Sequence, residues 1–356
     1  MKTVYLTLAN GRQFRGVSAG AEGEAVAELV FTTSMGSYLE TLTDACYYGQ
    51  AVLQTFPLMG NYGVISEDLR GKKPTVAAYI SREFCEEPSN FRSEGSIENY
   101  MRENGIIGVC GVDTREITKI LRNEGTMNCI ITENENLSSE QLERLSNHKI
   151  TGAVEKTTVK QVQTHTPDQP KRRVVLWDFG ESTSLVSELL KRDCEVVRVP
   201  GGFTAKQVLE LSPDAIALSD GAGDPAENAE IIEEIKAAVN SGVPVFGLGL
   251  GHMMLALSQG GSTVKLKHGH RGASQPIIEK DTGRILIAGQ NQGYAVKDVP
   301  KNARETYFNV NDKACEGLEY TDIPAYSLEF LPCDAIGPVD TKYIFDKFIE
   351  LMDKAR

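Results

Sequence analysis

The run Val243-Pro-Val-Phe-Gly-Leu-Gly-Leu-Gly-His-Met-Met-Leu-Ala-Leu257 constrains the fold more than any other stretch. Its opening segment is apolar, too short for a helix and bounded by Pro and Gly, as a buried parallel strand is. It passes through Gly247-Leu-Gly249-Leu-Gly251 into an apolar helical segment. A strand, a sharp glycine turn and a helix make a nucleophile elbow, which pushes its central residue out at the end of a sheet. Small neighbours are needed because strand and helix approach closely. The central residue here is Gly249, so the scaffold for a nucleophile is present without its side chain.

The surrounding sequence fits that geometry. Strand-like runs at Val174 to Trp177, Glu195 to Val199, Ala215 to Leu218 and Val243 to Phe246 alternate with helical segments at Ser184 to Arg192, Ala205 to Leu211 and Ala226 to Asn240. This alternation predicts an α/β domain with a mostly parallel sheet flanked by helices. Later strands near Arg284 to Ile287, Glu305 to Asn309, Gly317 to Tyr320 and Ala325 to Phe330 have shorter connections and predict an antiparallel extension. Thr341 to Ala355 closes the chain as an amphipathic helix.

The first part mixes strands and helices. Val4 to Leu8 and Gln13 to Val17 flank Asn10-Gly11 as a hairpin, and Ala25 to Thr32 and Ala51 to Phe56 follow as strands. Asp113 and Glu116 have capping-box spacing, and Ile117, Ile120 and Leu121 form a stripe, so a helix should end at Gly125. A second helix should start at Ser138 or Ser139. The hydroxyl-dense stretch from Phe31 to Cys46 is expected as a solvated connection, with the edge of a polar pocket as the alternative. A polar stretch with two prolines follows Gly152 and marks a linker. The expected domains are therefore 1–152, a linker over 153–172, and the elbow domain over 173–356.

Composition excludes several classes. A net charge of -12 argues against a nucleic-acid or anionic-membrane partner. No apolar run approaches the length of a membrane-spanning helix. Seven scattered Cys with no CxxC pair suit a reducing cytoplasm better than disulfides or a zinc site. His268-Gly-His270 lacks a third ligand in the sequence, so no metal is expected. The glycines of the elbow lack the spacing of a dinucleotide fingerprint, because the position of its third glycine is His252.

Ser219-Asp-Gly-Ala-Gly-Asp-Pro225 is more informative. It lies at the C-terminal end of a predicted parallel strand, where ligands bind in open α/β sheets. Gly221 and Gly223 could offer backbone N–H groups to an oxyanion, although a plain turn has the same composition. The elbow follows one β-α unit later.

Together these residues carry a resemblance. The second part resembles a class I glutamine amidotransferase domain, and the whole chain resembles the carbamoyl phosphate synthase small-subunit family. The supporting stretches include Pro57-Leu-Met-Gly-Asn-Tyr-Gly63, Gly111-Val-Asp-Thr-Arg115, Gly221-Ala-Gly-Asp-Pro225, Leu266-Lys-His-Gly-His-Arg-Gly272 and Asn291-Gln-Gly-Tyr-Ala-Val296. The resemblance implies a small-subunit N-terminal domain before the amidotransferase domain. It also implies glutamine hydrolysis by a Cys, His and Glu, with ammonia passing to a large subunit that consumes ATP and bicarbonate for pyrimidine and arginine synthesis.

The resemblance breaks at the chemistry. Gly249 replaces the family's Cys, and Leu331 and Cys333 replace its His and Glu. Met253 replaces a Gln, and Cys46 stands where a substrate-binding Ser is usual. Ser182 and Ser274 also replace polar residues that the family commonly keeps. Remnants of a glutamine pocket are expected at Gly221, Gly223, Leu250, Asn291, Gly293 and Tyr294. By analogy with serine hydrolases, loss of a whole triad costs on the order of 10⁶-fold in turnover. The expectation is a small chain without glutaminase activity, acting as a structural or regulatory subunit of a heterodimer. No cofactor is expected in this chain, and ATP and metal would belong to the large subunit. The alternatives are an amidotransferase using displaced residues such as Cys333 with His252, and a module that binds glutamine or another small molecule away from any synthetase.

Overall fold

The chain folds as two units, Met1–Ile150 and Thr151–Arg356. The computed structural model describes residues 2–69, 73–180, 185–332, 338 and 340–355. In the first unit seven strands close into a barrel. They are β1 (Thr3–Leu8), β2 (Gln13–Gly20), β3 (Ala25–Thr32), β4 (Gln50–Gln54), β5 (Ala78–Ile80), β6 (Ile107–Cys110) and β7 (Met127–Thr132). The order around the barrel is β1-β2-β6-β5-β4-β3-β7, and β7 returns to β1. Leu6, Leu29, Leu53, Ile80, Val109 and Ile131 fill one of its cores. Asn10-Gly11 makes the expected hairpin turn, with Gly11 N donating to Leu8 O at 2.9 Å.

Local signals hold well here. The helix Thr114–Glu124 starts where Asp113 accepts from Glu116 N at 2.9 Å. The helix Ser139–Asn147 carries a complete capping box between Ser138 and Gln141. The stretch after Phe31 is not a solvated connection. Thr32, Ser34, Tyr38, Thr41 and Thr43 are buried, and a helix forms over Tyr38–Thr43. Its hydroxyls bond the backbone: Tyr38 Oη donates to Gly63 O at 2.6 Å and Thr43 Oγ1 to Leu39 O at 3.1 Å. Hydroxyls that satisfy nearby carbonyls can be buried at little cost.

The second unit is built on ten strands: β8 (Gln163–His165), β9 (Arg172–Phe179), β10 (Cys194–Pro200), β11 (Ala215–Gly221), β12 (Val245–Leu248), β13 (Ser262–Glu279), β14 (Ile285–Asp298), β15 (Ala303–Asn309), β16 (Cys315–Tyr320) and β17 (Ala325–Leu328). They lie in the order β8-β10-β9-β11-β12-β17-β16-β14-β13-β15, and β15 also pairs with β16. The five strands β10, β9, β11, β12 and β17 run parallel, and the rest of the sheet is antiparallel. Alternate side chains feed two cores. Val175, Trp177 and Leu218 pack with the helix Leu250–Ser258 on one face. Val174, Leu176 and Phe246 pack with Phe345 and Phe348 of the helix Ile344–Ala355 on the other.

One expectation changes. The polar stretch over 153–172 is not a free linker. Ala153–Thr157 is a helix with Ala153 and Val154 buried, and Gln163–His165 pairs antiparallel with β10. Thr158 Oγ1 and Val159 N both bond Asp178, so polar side chains do the anchoring that an apolar pattern would have announced. β13, over a stretch where the sequence alone predicts no strand, runs for 18 residues. Its pairing with β14 shifts register between Lys265 and His270 and again between Gly272 and Gln275, which breaks the alternation.

Candidate functional site

The elbow is present as backbone. β12 ends at Leu248, and the elbow helix Leu250–Ser258 begins immediately after Gly249. Gly249 has φ 49° and ψ −113°, a conformation that strains any residue bearing a Cβ. Its amide donates to Leu328 O on β17 at 2.8 Å, and its carbonyl accepts from Met253 N at 3.1 Å. A Cβ built on Gly249 would come within 3.0 Å of Asp220 Cβ. Beyond Asp220 and its own chain neighbours, no described residue lies within 4 Å of that point.

The glycine loop meets the elbow. β11 ends at Gly221, and a Cβ there would overlap Phe179 O and come within 2.9 Å of Leu250 Cδ2. Ser219 Oγ accepts from Phe179 N at 2.8 Å and donates to Asp220 O at 2.7 Å, which fixes the strand end. Asp224 accepts from Ala226 N at 2.9 Å and caps the turn that follows. The structure thus brings Asp220, Gly221, Gly249 and Leu250 together.

Beneath the turn lies a group of buried polar side chains. His252 is fully buried in the first turn of the elbow helix, with Nδ1 2.8 Å from Ser327 Oγ on β17. Its Nε2 is 4.0 Å from Glu329 Oε2. Burial pushes His252 down to about 3, so it is neutral. Burial likewise pushes the Glu329 carboxyl well above its usual range, reinforced by the neighbouring carboxylates Glu316 and Asp220. Glu329 N donates to Glu316 O at 3.0 Å, continuing the β16–β17 ladder, so the two acids stand opposite each other. On the far side of Glu316 sits His270, with Nδ1 3.4 Å from Glu316 and Nε2 2.7 Å from Asp312. Burial disfavours the His270 cation, but its hydrogen bonds to Asp312 and Glu316 outweigh burial and raise it to about 9. Among the described residues no group of three or more His, Cys, Asp or Glu side chains is arranged to hold a metal ion.

Residues 6–131 match the family model described as carbamoyl-phosphate synthase small chain, CPSase domain, and residues 175–351 match glutamine amidotransferase class-I. A carbamoyl phosphate synthase small chain from Clostridium perfringens is 42% identical over 97% of this chain and 98% of its own length. One from Listeria monocytogenes is 40% identical over 98% of this chain and 96% of its own. The chain belongs to the carbamoyl phosphate synthase small-chain family. A pyrimidine-specific small chain from Bacillus subtilis is 38% identical over 98% of this chain and 95% of its own. Among solved structures, a glutamine amidotransferase from Thermotoga maritima matches at TM-score 0.39 and 18% identity, over 51% of this chain and 85% of that one, a likeness too weak to carry an inference.

The resemblance set the family's Cys, His and Glu at Gly249, Leu331 and Cys333. Leu331 is buried, and its amide donates to Gly289 O at 3.0 Å. Cys333 and Ser182 lie outside the described residues. Met253 and Leu250 are buried in the core that packs the elbow helix, with Tyr294 against it. Asn291 pairs with Arg271 across β14 and β13, and a Cβ on Gly293 would come within 3.1 Å of Arg271 Nη2. Gly223 lies against Ala153, where a Cβ would come within 3.0 Å of Ala153 Cβ. Ser274 is exposed on β13. Cys46 belongs to the first unit, where its amide donates to Asp44 Oδ1 at 2.8 Å. Sequence reasoning did not single out Asp220, Glu316 or Glu329. The one available signal was a Glu inside the apolar run Ser327-Leu-Glu-Phe330.

Proposed function

We propose that this chain is a small chain that does not hydrolyse glutamine and that serves a large synthetase subunit as a structural or regulatory partner. The observation that carries this reading is Gly249, which keeps the elbow backbone at φ 49° and ψ −113° and offers no nucleophile. His252 does not replace the base, because it is buried, neutral and turned to Ser327. Leu331 carries no ionisable group. The large subunit would supply the ATP and metal chemistry, draw on free ammonia, and share the cytoplasm with this chain.

Glutamate release from glutamine, measured on the purified chain with and without a large subunit, tests the proposal. The expected rate is background in both, with ammonia-dependent carbamoyl phosphate formation retained in the complex. Glutamine turnover at ordinary enzyme rates overturns it. Failure to co-purify with a large subunit overturns the partnership.

A further inference from the structure

Four buried side-chain atoms of one connected group have no hydrogen-bond partner among the described residues. They are His252 Nε2, Glu329 Oε2, Glu316 Oε2 and Gln292 Oε1. His252, Glu316 and Glu329 are all more than nine-tenths buried. When His252 donates its Nδ1–H to Ser327, its Nε2 is an acceptor, as are Gln292 Oε1 and, when ionised, the two carboxyl oxygens. Gln292 Nε2 reaches Glu316 Oε1 at 3.5 Å, so the amide already spends a donor on this group. A buried acceptor without a donor costs about 1–3 kcal/mol, and the facing pair His252 Nε2 and Glu329 Oε2, 4.0 Å apart, calls for a guest that donates.

Charge points the same way. Two carboxyls stand directly opposite on β16 and β17, where like charges destabilise a sheet. The nearby cation, His270, is shared between Glu316 and Asp312. We propose that His252, Glu329 and Glu316 form a buried site for one small hydrogen-bond-donating cation with the size and chemistry of ammonium. A guest about 2.8 Å from both His252 Nε2 and Glu329 Oε2, a usual hydrogen-bond length, would subtend roughly 90° across their separation, which suits a tetrahedral donor. A metal ion is not the guest, since among the described residues no group of three or more His, Cys, Asp or Glu side chains is placed to hold one. The site does not depend on whether the chain hydrolyses glutamine or binds a large subunit.

The test compares thermal stability of the full chain in ammonium, sodium, potassium and tetramethylammonium chloride at one ionic strength. Ammonium alone should raise Tm saturably, by roughly 2–4 °C once its concentration is several times Kd. Glu329→Gln should abolish that response. ¹⁵N-ammonium NMR on the unmodified chain should show a bound, slowly exchanging ammonium, and it decides the matter should the variant fail to fold. Equal shifts with potassium and ammonium, an unchanged response in Glu329→Gln, or no bound ammonium signal (a buried water only) would each overturn the site. None of these results bears on glutamate release, so the two proposals fail separately.

Discussion

His252 Nε2 faces Glu329 Oε2 across 4.0 Å, both atoms are buried, and neither finds a hydrogen-bond partner among the described residues. The pair titrates in opposing senses. His252 is depressed to about 3, so its contribution is complete above 6.5 and is lost as pH falls toward 3. Glu329 is raised above 4.5, so its protonated form is no burden below that pH, and stability is lost as pH climbs past it.

Glu329→Gln keeps the shape and removes the titrating group. In sodium buffer at about pH 7.5 it should stabilise the chain by about 1–3 kcal/mol, the usual penalty of a buried unpaired polar group. At about pH 4, where the carboxyl is protonated in both folded and unfolded chains, the gain should vanish. Denaturant midpoints at the two pH values check both statements. A gain of equal size at both would show that charge is not the cause.

Gly249→Cys should restore no glutaminase activity. The new Cβ would sit at φ 49° and 3.0 Å from Asp220 Cβ. Strain of this kind costs about 1–3 kcal/mol, so the variant should be less stable or at best equal. Glutamate release and urea unfolding on the same preparation decide it, and robust turnover would refute the account of a missing base.

Asp312→Asn should lower the pKa of His270. With His270 raised to about 9, the stability it contributes is complete below 6.5 and is lost as pH rises through 9. Removing the carboxylate that bonds its Nε2 should bring that loss to lower pH and cost roughly 1–2 kcal/mol at neutrality, less than a fully buried pair because Asp312 is partly exposed. Imidazole NMR titration gives the first quantity and chemical denaturation the second.

Gly221→Ala should destabilise through contact alone. Its Cβ would overlap Phe179 O and press on Leu250 Cδ2 at 2.9 Å, and overpacking of this kind costs about 1–3 kcal/mol. A melting temperature within 1 °C of the parent would show that the loop yields freely.

The sequence made the second unit's parallel strands and elbow legible because their signals are local: apolar runs, glycine turns and caps. Asp113 and Ser138 announced their helices for the same reason. The elbow strand was placed two residues early, since Pro244 has no N–H and pairing begins at Val245. Other features depend on partners distant in the chain. The barrel closes only when β7 meets β1, and nothing in either strand specifies that pairing. The residues 153–172 looked like a tether because Thr158 and Val159 are held by Asp178, a contact with no sequence period. Glu316 and Glu329 face each other through strand register, which composition does not encode.

The two large sheets differ in what they leave for another chain to pair with. The seven-stranded sheet returns on itself. In the other, β14 runs along β13, but β15 meets β13 only at Ile277, Ile278 and Glu279 of its 18 residues. Among the described strands, the rest of that side of β13 has no partner strand, so strand addition, the simplest way for a sheet to recruit a partner or to aggregate, has a place to start on the second unit and none on the closed barrel.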